Sequence, residues 1–212
     1  MTKGLFITFE GNDGSGKTTQ ILKLTEYLKA RGMEVCHLRE PGGTPIGEKI
    51  RNLVLDKENE EMCAAAEMLL YAASRAQLVH TVIKPRKAEG KAVICDRFVD
   101  SSYAYQGIGR GLGLDTVIAV NAPAIDDCLP DLTFFMDVDA DTAMKRRDAT
   151  GQEADRIERE EMEFHRKVYG GYSLIADKYP ERIKRIHVNE NPEDVFKQIR
   201  IHMEAFLAKR MP

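Results

Sequence analysis

Only Glu10 separates the apolar run Leu5-Phe6-Ile7-Thr8-Phe9 from Gly11-Asn12-Asp13-Gly14-Ser15-Gly16-Lys17-Thr18. The second stretch matches G-x-x-x-x-G-K-[ST], in which a strand hands the chain to a helix through a loop. Glycines let that loop curl until successive backbone N–H groups point inward at an anion. The helical exit is legible as well: from Thr18 onward Ile21, Leu24 and Leu28 form an apolar stripe, and Gly32 is placed to stop it. Such a loop cradles phosphates. Gly11, Asn12, Asp13, Gly14, Ser15 and Gly16 supply the cradle, Lys17 reaches the terminal phosphates of a nucleoside triphosphate, and the Thr18 hydroxyl ligates Mg²⁺.

The rest of the chain repeats the same alternation. Short apolar or β-branched runs read as buried strands at Glu34–Leu38, Ala92–Cys95, Leu132–Val138 and Ile183–Val188. Helical patterns occupy about 18–31, 44–55, 61–88, 112–121, 141–147 and 155–178. Asn191-Pro192-Glu193-Asp194 supplies a cap, a first-turn proline and two acids for a last helix buried through Val195, Ile199, Met203 and Phe206. Five strands alternating with helices predict an α/β fold, a three-layer sandwich whose parallel sheet carries helices on both faces. Ligands then sit at the carboxyl edge, where the phosphate loop lies.

The chain has 212 residues, enough for one domain with a single large core. A net charge of −3 argues against a binder of nucleic-acid polymers, so any cationic site must be a local concentration of Arg and Lys. Met1-Thr2-Lys3-Gly4 leads directly into the first strand without a signal-peptide pattern, and no apolar run approaches a membrane span. Cys36, Cys63, Cys95 and Cys128 form no C-x-x-C pair and read as small buried residues of a reducing, cytoplasmic compartment. The histidines are equally dispersed and receive no role.

Further charged groups fall at the same edge. Val93-Ile94-Cys95 ends in Asp96-Arg97; an acid there holds Mg²⁺ or its water shell, and the arginine suits a phosphate. Taken alone, the dipeptide fits a surface ion pair equally well. Arg39 follows the second strand, ahead of the Pro41-Gly42-Gly43 turn and the capping residue Thr44. Tyr71 and Arg75 are four residues apart on one helix face, suited either to stacking and hydrogen-bonding a base or to ordinary packing.

Together these segments resemble the thymidylate kinase (dTMP kinase) family. The resemblance rests on Phe9-Glu10-Gly11 through Thr19, Arg39-Glu40-Pro41-Gly42-Gly43-Thr44, and Leu69 through Gln77. Asp96-Arg97 through Ser101-Ser102-Tyr103-Ala104-Tyr105-Gln106-Gly107, Pro130-Asp131-Leu132-Thr133 and Asp155-Arg156-Ile157-Glu158 complete it. It implies transfer of the γ-phosphoryl of ATP to dTMP, with Mg²⁺, by a homodimer of the P-loop NTPase class. The acceptor is already an ionised phosphate, so positioning and charge neutralisation must dominate.

By resemblance, Thr19 joins the ATP-binding loop, and Lys17, Asp13 and Arg97 act in catalysis. Arg39 and Arg97 clamp the dTMP phosphate, with Asp13 beside it and Asp96 assisting the metal. Tyr71 stacks on thymine, Arg75 bonds its exocyclic oxygen, and Ser102 and Gln106 read the base edge. Tyr105 presses on the deoxyribose. Gly14 stands where one group of these enzymes carries an arginine, so the sequence resembles the bacterial type, whose lid arginines close over ATP. The lid falls at about 145–157, with Arg147 and Arg156 as its catalytic cations and Arg146 a further candidate. A deoxynucleoside kinase also pairs a P-loop with an aspartate-arginine dipeptide, but it wants a base rather than a second phosphate clamp. A switch GTPase would show Asn-Lys-x-Asp, which this sequence lacks.

Overall fold

Residues 4–189 and 191–210 are described by a computed structural model. The expectation for Met1-Thr2-Lys3 falls outside them. Strands β1 (Leu5–Glu10), β2 (Val35–Arg39), β3 (Ala92–Asp96), β4 (Leu132–Asp137) and β5 (Ile183–His187) form one parallel sheet in the order β2-β3-β1-β4-β5. The direction of winding reverses at β1, so crevices open at the carboxyl ends of β1 and its neighbours.

Alternation along each strand sorts the core into two layers. Phe6, Val93, Cys95, Phe135 and Ile183 face one side, and Ile7, Phe9, Ile94, Phe134, Met136 and Ile186 face the other. The second side is covered by α1 (Lys17–Lys29) and α9 (Pro192–Ala208) through Ile21, Leu24, Leu28, Val195, Ile199 and Met203. The first is covered by α3 (Ala64–Leu78), α6 (Leu114–Ile125), α8 (Met162–Lys178) and the segment after β3. This is the expected three-layer sandwich. The expected caps also form: Thr44 Oγ1 accepts from Gly47 N at 2.9 Å at the start of α2 (Pro45–Leu55), and Asn191 Oδ1 accepts from Glu193 N at 3.0 Å.

Three segments differ from expectation. The helix expected over 61–88 begins at Ala64 and widens into a π-turn over Val79–Ile83 before α4 (Lys84–Ala88). Pro85 has no N–H and its ring crowds the carbonyl four residues back, so the wide turn falls where a regular α-turn would be worst. The helix expected from 155 starts at Met162, because Asp155 Oδ1 accepts from the backbone N–H of Ile157 and Glu158, each at 2.9 Å, and closes a local turn instead. The stretch after β3 is helical although none was expected there: α5 (Val99–Ser102) runs into a π-turn over Tyr103–Gly109. Its buried Val99, Tyr103, Ala104 and Tyr105 follow no regular period in a Ser- and Gly-rich stretch. Helix α8 lies against this turn so closely that a Cβ on Gly171 would come within 3.1 Å of Ala104 Cα.

Helix α7 (Ala140–Asp148) is capped by Asp139, whose Oδ1 accepts from Thr142 N at 2.8 Å. It takes up the first part of the expected lid. Cys95 and Cys128 are buried as expected, whereas Cys63 is exposed. Among the described residues no helix is long and apolar enough to cross a membrane. Two isoleucines on α9 test the layer assignment. Ile199→Ala, at a fully buried position, is expected to lower stability by about 2–5 kcal/mol in urea unfolding. Ile201→Ala, 63% exposed, is expected to stay within about 0.5 kcal/mol of the parent.

Candidate functional site

The phosphate loop is shaped by Gly11, Gly14 and Gly16, with φ of 136°, 83° and 86°. Gly16 caps α1 without a side-chain bond, and the first turn carries no acid, so its amide donors are open to an anion. Lys17 Nζ is folded back on the loop, donating to Gly11 O at 2.9 Å and Asn12 O at 3.0 Å. Burial lowers its pKa from the usual lysine value. At Gly14 a Cβ would sit 2.0 Å from Ala143 O of α7, so the loop and the helix backbone meet where no side chain fits. Beside Gly14, Gly16 and Thr19 lies a cleft of about 670 Å³, partly open to solvent, which Arg146 and Pro192 also line.

The strand register places the next component. Phe9 pairs with Asp96, so Asp96-Arg97 leaves β3 beside the loop leaving β1. The Oδ1 of Asp96 is buried without a hydrogen-bond partner. Arg97 adopts a positive φ of 67°, held by its N–H to Phe9 O at 2.9 Å and by Phe98 N donating to Glu10 Oε1 at 2.7 Å. Its Nη2 donates to Asp13 Oδ1 at 2.7 Å, and its Nη1 to Tyr172 OH at 2.9 Å and Ser101 Oγ at 3.3 Å. Both hydroxyls also meet Glu10 Oε2, Ser101 Oγ at 2.6 Å and Tyr172 OH at 3.2 Å. Burial, reinforced by Asp100, pushes the Glu10 carboxyl up to about 8. Burial opposes ionisation of Asp13 too, but Arg97 and then Lys17 outweigh it and hold this carboxyl well below the usual range.

Next to this pair opens a pocket of about 640 Å³, again partly open to solvent. Asp13, Tyr71, Arg75, Arg97, Ser102, Tyr105 and Gln106, all singled out from the sequence, line it. Arg75 is 1% exposed and not part of a surface pair. It donates from Nε to Glu40 Oε2 at 2.9 Å, with Nη2 in an ion pair 2.7 Å from the same oxygen, from Nη2 to Phe98 O at 3.1 Å, and from Nη1 to Ser102 Oγ at 3.0 Å and to Asn121 Oδ1. These contacts engage all three guanidinium nitrogens, so a bound base meets a guanidinium already held by protein acceptors. The Tyr71 hydroxyl has no hydrogen-bond partner among the described residues.

Two groups of expected site residues lie away from the two clefts. Arg39 does not line the pocket: it is 47% exposed and donates to Pro41 O at 2.8 Å and Glu48 Oε2 at 2.9 Å. Glu48, one turn into α2, lies close enough to draw it aside. Arg51 lines the pocket instead. Its signal was present in the sequence, since Arg51 falls between Gly47 and Val54 on the buried side of α2, where a cation needs a reason. The second group belongs to the lid. Arg156 donates to Val54 O at 2.8 Å and to buried Glu67 Oε2 at 2.7 Å, which commits its guanidinium to the α2–α3 wall. Arg147 Nη2 is tied to Glu158 Oε2 at 2.6 Å, next to a small cavity shared with Asn12 and Asp13. Of the three candidates, Arg146 is the one lining the cleft beside the loop. His165, given no role, reaches the loop from α8: its carbonyl accepts from Asn12 Nδ2 at 3.3 Å and its Nε2 is buried without a partner. Nothing in the sequence distinguished it from the other histidines.

The arrangement gathers cations and amide donors around two adjoining clefts, while the carboxylate between them is neutralised by Arg97 and Lys17. That suits phosphoryl transfer between already ionised oxygens better than proton abstraction.

A sequence model of the thymidylate kinase family matches residues 9–199. The thymidylate kinase of Thermoanaerobacter sp. (strain X514) is 54% identical over 180 residues, covering 85% of this chain and 87% of that one. The thymidylate kinase of Clostridium novyi (strain NT) is 46% identical over 201 residues, covering 94% of this chain and 98% of that one. The crystal structure of thymidylate kinase from Ehrlichia chaffeensis superposes with a TM-score of 0.76 at 35% identity, covering 95% of this chain and 98% of that one. With a P-loop on β1, an acid–arginine pair on β3 and an aromatic-walled pocket between them, the chain belongs to the thymidylate kinase family.

Proposed function

We propose that the chain transfers the γ-phosphoryl of ATP to dTMP, giving dTDP and ADP, with the two clefts as donor and acceptor sites. One observation carries this reading: the Asp13–Arg97 pair joins the phosphate loop to a pocket walled by Tyr71, Tyr105, Gln106 and Arg75. ATP phosphates lie against the amides of Gly11 through Gly16, with Lys17, Thr18 and Thr19 completing the cradle. Arg97 and Arg51 hold the acceptor phosphate, Tyr71 stacks on thymine, and Tyr105 packs on the deoxyribose. Arg146 supplies the lid cation, while Arg147 and Arg156 brace the lid through Glu158 and Glu67.

Thr18 and Asp96 fit Mg²⁺: the buried, unpartnered Oδ1 of Asp96 suits a metal-bound water, and the exposed Thr18 hydroxyl is a hard oxygen donor. When bound, the ion neutralises charge on the phosphate oxygens. The protein acts as a single domain in the cytoplasm, where ATP is supplied, with a lid at about 145–157 that closes over ATP. Exposed Ile46 and Leu53 on α2 and Leu69 on α3 support a homodimer contact there.

An acceptor panel with ATP and Mg²⁺, offering dTMP, dUMP, dCMP, dGMP and thymidine separately, tests the reaction. ADP release stimulated most strongly by dTMP and absent with thymidine is expected; turnover with thymidine alone would assign a deoxynucleoside kinase. For the metal site, Asp96→Asn is expected to raise the Mg²⁺ concentration for half-maximal rate at least about tenfold. An unchanged Mg²⁺ dependence in the folded variant removes Asp96 from that site.

A further inference from the structure

Gln106 has an amide whose two ends present opposite hydrogen-bonding characters, and its neighbour on α3 determines which end faces the pocket. Glu67, 1% exposed, accepts from Gln106 Nε2 at 2.9 Å, from Arg110 Nη2 at 3.0 Å and from Arg156 Nη2 at 2.7 Å. Burial would raise its pKa, but hydrogen bonds and charge from Arg110, joined by Gln106 and Arg156, lower it and keep it ionised. An ionised carboxylate can only accept, so Gln106 must turn its NH₂ toward Glu67. Its Oε1 then has no protein partner among the described residues and remains as an acceptor in the pocket wall that Gln106 lines. Nearby, Ser102 Oγ accepts from Arg75 Nη1 at 3.0 Å, which leaves the serine proton free to donate.

The wall therefore offers an acceptor from Gln106 and a donor from Ser102. The imide edge of thymine or uracil, a ring N–H beside a carbonyl, complements that pair; cytosine presents a ring acceptor beside an amino group, the reverse pattern. We propose that Glu67 is a positioning residue for base selectivity, locking the Gln106 amide so that the acceptor pocket takes an imide pyrimidine and rejects an aminopyrimidine. The role rests on the placement of the acceptor base beside Gln106 given above. A mismatched polar edge leaves buried groups unpaired on both sides, a larger penalty than a poor apolar fit.

Dissociation constants for dTMP and dCMP, measured for the parent chain, Glu67→Gln, Gln106→Leu and the double variant, test the proposal. A glutamine at 67 can donate to Gln106 Oε1 and so releases the lock. The dTMP/dCMP affinity ratio is expected to fall at least about tenfold in Glu67→Gln and in Gln106→Leu, with no further fall when the two are combined. Where Glu67→Gln does not fold, Glu67→Asp keeps the charge for Arg110 and Arg156 but shortens the reach to Gln106, and the same fall is expected. A purely structural role for Glu67 would weaken both ligands alike and leave the ratio unchanged. A ratio that falls in Gln106→Leu but not in either Glu67 variant overturns the proposal while leaving the base beside Gln106. A ratio unchanged in Gln106→Leu itself overturns the placement of the base, and the proposal with it.

Discussion

The ion pair between Asp13 and Arg97 is the point at which the sheet, the phosphate loop and the acceptor pocket become one site. It exists because β1 and β3 are neighbours in register, with Phe9 opposite Asp96, so their outgoing loops emerge side by side. Holding a guanidinium there requires a backbone conformation that non-glycine residues seldom adopt. Glu10 secures it by accepting from Phe98 N and from the two hydroxyls that touch Arg97. A largely buried cation of this kind is expensive unless paired, and breaking such a pair typically costs about 3–5 kcal/mol. Asp13 satisfies one side of the guanidinium, while Arg97 Nε has no partner among the described residues. In the function proposed above, an acceptor phosphate would take up that free donor, so the buried arginine would help to hold the ligand.

Much of this was legible from residue order. The P-loop, the five strands and both caps follow from local pattern, because glycine positions, apolar alternation and capping residues act over a few residues; the roles of Ser102, Tyr105 and Gln106 came only from the family resemblance. What stayed hidden depends on which of several competing partners a long side chain finds. Arg39 pairs with Glu48 outside the pocket, and Arg156 turns to Glu67 although its sequence neighbours belong to the lid. Arg51 was readable in principle, as a cation on the buried side of an amphipathic helix, but only once that side is known to border the pocket. The π-turn over Tyr103–Gly109 escaped for a different reason: its width follows neither the helical nor the strand period, so its buried aromatics form no recognisable stripe.

Gly14 shows how one absent side chain organises a second part of the machine. A Cβ there would strike Ala143 O, so the backbone of α7 rests directly on the phosphate loop. Helix α7 carries Arg146 into the donor cleft and Arg147 to Glu158, tying the start of the lid to its end. At the same time Tyr172 of α8, the helix that follows the lid, touches Arg97. The segment that begins in α7 and Arg97 are therefore joined through packed elements.

Calorimetric titration of dTMP and of thymidine into the parent chain and into Arg97→Ala measures what the clamp contributes. The parent is expected to bind dTMP at least about 100-fold more tightly than thymidine, since the phosphate gains a charge-assisted contact in a desolvated site. In Arg97→Ala most of that preference should disappear, with thymidine affinity changed by less than about threefold. A folded Arg97→Ala that keeps the full preference for dTMP would show that the acceptor phosphate is held elsewhere, and the buried ion pair would then be no more than a structural tie.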